Sequence, residues 1–195
     1  MNKISWLSHN WLILQINNNI LEGVINKISG RVVDLGCGTA PYKADILKVA
    51  EEYIGIDWKS SLHDQSRVDI FANLRGILPI QDRCTDTVVS FQVLEHLPEP
   101  SGFLKEAHRI LRSGGTIIIT VPFMWHVHEA PHDYYRFTRY GLEYLLNKAG
   151  FTNVAIKENT GYFQMSVLKF NYFTAPFARG QLRLLFIQVW DVVQK

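Results

Sequence analysis

Short apolar runs alternate with amphipathic stretches along this chain. Runs suited to buried strands occur at Arg31–Leu35, Tyr53–Asp57, Arg67–Phe71, Asp86–Phe91 and Thr116–Val121. Helical spacing recurs between and around them. Leu21, Val24, Ile25 and Ile28 stand at i, i+3, i+4 and i+7, and Ser29-Gly30 ends that helix. Pro41 suits the first turn of a helix running to about Ala50. Glu99 to Arg112 puts Phe103, Leu104, Ala107, Ile110 and Leu111 on one face, with Ser113-Gly114-Gly115 as its stop. Thr138 caps a helix with Leu142, Leu145, Leu146 and Ala149 on one face, ended by Gly150. Phe151–Glu158 reads as a sixth strand, and no seventh is predicted.

Alternation of strand and helix predicts an α/β fold with a doubly wound, mostly parallel sheet and helices on both faces. At 195 residues, 47% hydrophobic and 19% charged, the chain suits one soluble domain over residues 1–195. Within it, 1–30 form an N-terminal helical segment and 31–122 the cofactor-binding core. Residues 123–137 form an acceptor-site loop, and 138–195 the C-terminal helices and strand. A net charge of +2 gives no strong nucleic-acid signal. No run approaches the roughly 20 apolar residues of a membrane span. Cys37 and Cys84 are too few for a disulfide framework, and no secretory signal is predicted, so the expected location is cytoplasmic. Leu182, Leu185, Phe186, Val189, Trp190 and Val193 repeat at helical spacing. That stripe is read as packing on the chain's own sheet or on a second copy in a homodimer.

The chemistry begins where the first strand turns. Asp34-Leu35-Gly36-Cys37-Gly38 closes an apolar run with an acid and two glycines, the order expected beneath a nucleotide-like ligand. Ala40 and Pro41 stand where a dinucleotide fingerprint has its third glycine, and no lysine follows with phosphate-loop spacing. Asp57 lies 21 positions beyond Gly36, close to the spacing of an acid that accepts ribose hydroxyls. A capping or surface aspartate is the alternative. Trp58 follows it, as a stacking partner for adenine or as core.

Asp34-Leu-Gly-Cys-Gly38 resembles motif I of the class I S-adenosylmethionine-dependent methyltransferases, a Rossmann-like family. Gln92-Val-Leu-Glu95-His96, Arg109-Ile-Leu-Arg-Ser-Gly-Gly115 and Val121-Pro122 extend that resemblance over residues 30–122. It implies S-adenosylmethionine as cofactor, held by Asp34, Gly36, Cys37, Gly38, Asp57, Trp58, Asn73, Leu74 and Gln92. Asn73 stands where the family commonly has an acid toward the adenine amino group; an amide oxygen accepts that bond without charge.

Pro122 to Phe137 crowds three histidines, Glu129, Asp133, Tyr134, Tyr135 and Arg136 into one loop. Such a loop suits the wall of an acceptor pocket. His128 and His132 are the candidate bases, and Tyr134 and Tyr135 the candidate acceptor contacts. The stretch through Tyr140 resembles the Asp-Tyr-Tyr-Arg-Phe-Thr segment of bacterial methyltransferases linked to glycan or secondary-metabolite modification. The expected reaction is methylation, at oxygen, of a small-molecule or glycan-type acceptor. Asp133 and Arg136 alternatively pair to staple the loop. No metal ligands are assigned. One alternative is divalent-metal assistance through Glu95 and His96, as in the small-RNA 2′-O-methyltransferases and the O-methyltransferases of coenzyme Q biosynthesis that this pair resembles. A nicotinamide-dependent oxidoreductase and a non-catalytic nucleotide-binding module are the others.

Overall fold

The structure is a computed structural model that describes residues 11–60 and 64–174. In chain order it has helix α1 (Trp11–Val24), strand β1 (Arg31–Leu35), α2 (Lys43–Ile46), β2 (Glu52–Asp57), β3 (Ile70–Phe71) and β4 (Thr85–Phe91). Then come α3 (Pro100–Ile110), β5 (Leu111–Thr120), α4 (Arg139–Ala149) and α5 (Tyr162–Thr174). The described residues fall into two compact units, Val24–Ile156 and a second holding 11–23 and 157–174.

The larger unit is built on a five-stranded sheet in the order β3-β2-β1-β4-β5. Every pairing is parallel, with Asp34 beside Gly55 and Val33 beside Val88. Val32, Val33 and Leu35 of β1 are fully buried, as expected of a central parallel strand covered on both faces. The order reverses direction between β1 and β4. Crevices for ligands form at such a switch point, beyond the carboxyl ends of the strands.

The helices follow their apolar spacing. Pro100 opens α3, and Phe103, Leu104, Ala107 and Ile110 are buried along one face. Thr138 Oγ1 accepts from the Gly141 amide at 3.1 Å to cap α4, and Gly150 ends it at φ +102°. Leu142 and Leu146 join Phe103, Leu104, Val33 and Val88 in one core. Each such burial is worth roughly 1.5–3 kcal/mol relative to exposure.

Several elements depart from the expected pattern. The N-terminal helix starts earlier and ends in a 3₁₀ turn at Ile25–Lys27. The helix expected from Pro41 to Ala50 is one turn, because Ala40 leaves the glycine turn at φ +49° and several later bonds skip only three residues. Arg67–Phe71 pairs only at Ile70–Phe71; Asp69 instead accepts from the Gly55 amide at 2.8 Å and from Lys43. Ser113-Gly114-Gly115 lies inside β5, at a register shift where Gly114 takes φ +79°. Phe151–Glu158 is not a strand. Phe151, Val154 and Ile156 pack on the core without entering the sheet. The Tyr- and Phe-rich stretch after Gly161 forms α5. The stripe from Leu182 to Val193, and the homodimer contact expected of it, lie outside the described residues. Among the described residues no helix is long and apolar enough to cross a membrane.

Candidate active site

The turn after β1 is stitched to the end of β2. The amides of Gly36 and Cys37 both donate to the Ile56 carbonyl, at 2.8 and 3.1 Å. Gly36 sits at φ +81°, and a Cβ there would meet Val93 at 2.4 Å, so conformation and space both demand glycine. Gly38 turns its amide onto Asp57 Oδ2 at 2.7 Å, while the Trp58 amide donates to Oδ1, also at 2.7 Å. The glycines and the distant aspartate therefore meet at one rim of the sheet. A carboxylate has about four acceptor positions, so Asp57 keeps capacity for further donors.

The other expected cofactor residues divide between rim and interior. Asp34 points inward: its carboxyl is buried and accepts from Tyr53 Oη at 2.6 Å. Burial pushes it up to about 7, with Tyr53 opposing the rise and Asp57 adding to it. Cys37 is buried too, and burial foremost pushes its thiol up to about 12, so it is no nucleophile. Leu74 belongs to the core. Asn73 is exposed after β3, its Oδ1 taking the Arg75 amide at 3.0 Å. Gln92 follows β4 at φ +56°, with its amide and Nε2 both donating to Thr120 Oγ1. Trp58 lies with Arg75 over its ring at 5.8 Å and the His132 ring edge-on at 5.2 Å. Tyr53, Val93 and Thr120, which buttress these residues, were not singled out from sequence. Only the strand pairing reveals them.

The loop from Pro122 to Phe137 is held by internal bonds. Arg136 donates to both Asp133 oxygens at 2.7 and 2.8 Å, and to the carbonyls of Trp125, His126 and Tyr135. The Arg136 guanidinium holds the Asp133 carboxyl well below the usual carboxylate range. The staple foreseen as an alternative therefore exists. His128 belongs to it: its amide donates to Asp133 Oδ2 at 2.8 Å and its Nδ1 lies 3.3 Å from that oxygen. His132 instead faces Trp58, with its Nδ1 3.4 Å from Tyr134 Oη. Phe123, Val127, Tyr134 and Tyr135 are exposed along the same loop.

Glu95 anchors this loop to the turn after β4. Its carbonyl accepts the amides of Tyr134 and Tyr135, at 2.8 and 3.3 Å. Its carboxyl group is fully buried, and neither oxygen has a hydrogen-bond partner. Burial pushes that carboxyl up to about 8. His96 Nε2 lies 3.9 Å from Glu95 Oε1 and 3.9 Å from Glu129 Oε2. The His96 ring meets the His128 ring edge-on at 4.9 Å, a contact that sequence spacing did not foretell.

Residues 33–119 match the methyltransferase domain family. A probable S-adenosylmethionine-dependent methyltransferase of Mycolicibacterium smegmatis is 36% identical over 110 residues, covering 53% of this chain and 42% of that protein. Over its core this chain is therefore similar to the S-adenosylmethionine-dependent methyltransferases. The chain spans less than half the length of the first such relatives, 42% and 35%. A methyltransferase from Archaeoglobus fulgidus shares the fold with a TM-score of 0.59 at 15% identity, over 83% of this chain and 86% of that one. The [4+2]-cyclase SpnF aligns with this chain at a TM-score of 0.53 and 20% identity, over 70% of this chain and 57% of that one. The fold alone does not specify the reaction.

Proposed function

We propose that this chain binds S-adenosylmethionine at the rim formed by the turns after β1, β2 and β4, and methylates oxygen on a small-molecule or glycan-type acceptor. The observation that carries this reading is the 2.7 Å bond from the Gly38 amide to Asp57 Oδ2. It joins the glycine turn, held close over Val93 at Gly36, to a carboxylate with unused acceptor positions, which fits an adenosyl ribose. The bound cofactor supplies an electrophilic methyl carbon. Asp57 accepts from the ribose hydroxyls, Trp58 and the Asn73 amide lie toward the adenine, and Gln92 borders the opposite side. Asp34 acts through Tyr53 on the strand beneath the turn rather than by touching the ligand.

The loop 123–137 orients the acceptor, and its exposed aromatic side chains suit sugar or ring faces. A hydroxyl acceptor must lose its proton as the methyl carbon is transferred in line. His132, beside Trp58, takes that role; imidazole is the side chain best matched to it near neutral pH. His128 is engaged by the Asp133–Arg136 staple and serves the loop. With Cys37 and Cys84 both free thiols, a reducing cytoplasm suits the protein.

Calorimetry should detect S-adenosylmethionine binding and none of NAD. Asp57→Ala should weaken cofactor affinity on the order of 100-fold with the circular dichroism spectrum unchanged; unaltered affinity would refute the ribose assignment. Labelled methyl transfer to hydroxylated small molecules and glycans should fall sharply in His132→Ala while cofactor affinity holds. Cofactor binding without transfer to any compound would favour a non-catalytic binding module.

A further inference from the structure

The Glu95 carboxyl group is fully buried with both oxygens unpartnered, a rare condition for a native polar group. Two imidazoles surround it. One ligand atom each from Glu95, His96 and His128 lie within 4.8 Å of one another. His96 is also oriented for coordination. Its Nδ1 lies 2.5 Å from the His132 carbonyl, which fixes the proton on Nδ1 and leaves the Nε2 lone pair toward Glu95. A backbone carbonyl on the far nitrogen is the usual support behind a metal-binding histidine.

We propose that Glu95, His96 and His128 hold a divalent cation, which takes up the alternative read from Glu95 and His96 and adds His128 as the third ligand. Glu129, at 3.9 Å from His96 Nε2, stands at the edge of the cluster. Two imidazoles and one carboxylate select ions of the Zn²⁺ and Co²⁺ type over Mg²⁺ or Ca²⁺. Ligand bonds of roughly 2.0–2.2 Å require the three groups to close by on the order of 1 Å. The ion would give one orphaned Glu95 oxygen its partner and clasp the turn after β4 to the loop 123–137. Three protein ligands leave a tetrahedral ion one open position. On the reading that the acceptor is a hydroxyl compound, its oxygen takes that position and gives up its proton more readily.

Titration of the full chain, stripped with chelator, with CoCl₂ and then ZnCl₂ tests the site without cofactor or acceptor. A failure here is thereby separable from failure of the methyl-transfer reading. One equivalent of Co²⁺ should give a visible ligand-field band that Zn²⁺ abolishes. Glu95→Gln and His128→Ala should each weaken binding on the order of 10- to 100-fold. His108→Ala, on a ring that packs against Phe151, should leave it unchanged. Uptake far below one equivalent, or His128→Ala binding as tightly as wild type, overturns the proposal. His128→Ala decides even if Glu95→Gln fails to fold, since His128 is only half-buried in a surface loop.

Discussion

Asp34 shows how a single buried acid ties the glycine turn to stability. The unfolded chain releases this proton near pH 4, whereas burial raises the folded carboxyl to about 7. Its drag on folding is absent below pH 4, grows as pH rises, and is complete above about 7. Asp34→Asn keeps an oxygen for the Tyr53 hydroxyl and removes the titration. Melting curves should show the variant gaining on wild type from pH 4 to 7 and holding that margin above. A margin independent of pH would show that Asp34 does not titrate as its surroundings dictate.

At the scale of elements, the loop 123–137 depends on one guanidinium. Arg136 reaches three carbonyls and both Asp133 oxygens, a fork that the point charge of lysine cannot reproduce. Arg136→Lys should cost roughly 2 kcal/mol and speed proteolysis within the loop. A cleavage pattern like that of wild type would mean the loop is held elsewhere. Because Arg136 depresses the Asp133 carboxyl, the staple survives through pH 4 and is lost only in stronger acid. Elements differ in how plainly the sequence announces them. The apolar runs of β1, β2 and β4, and the caps and stripes of α3 and α4, were readable because burial writes its period directly. Phe151–Glu158 misled because packing on a core leaves a similar apolar trace without a pairing partner. The short α2 misled because a positive φ at Ala40 is invisible in residue type.

Across the whole molecule, the strand order β3-β2-β1-β4-β5 gathers residues 34–38, 57–58, 73 and 92–96 at one edge of the sheet. Spacing alone was enough to pair the glycines with Asp57. It could not show that Glu95 lacks partners or that His128 meets His96, since those facts depend on how a distant loop folds back. A ligand seated across this edge should stabilise the full chain. At 100 times its dissociation constant, S-adenosylmethionine should add about 2.7 kcal/mol and raise the melting temperature. At the same concentration Asp57→Ala, bound about 100-fold more weakly, should keep only about 0.4 kcal/mol of that gain. An equal rise in both would move the binding site away from this rim.

The two amides on Asp57 carry a last consequence. Because Gly38 and Trp58 already fix both oxygens, the side chain has no rotamer freedom left to surrender when a ligand arrives. On the proposed ribose assignment, affinity is thereby set before encounter, by the length of one side chain. Asp57→Glu, a single methylene longer, would keep the charge and lose that ready-made aim.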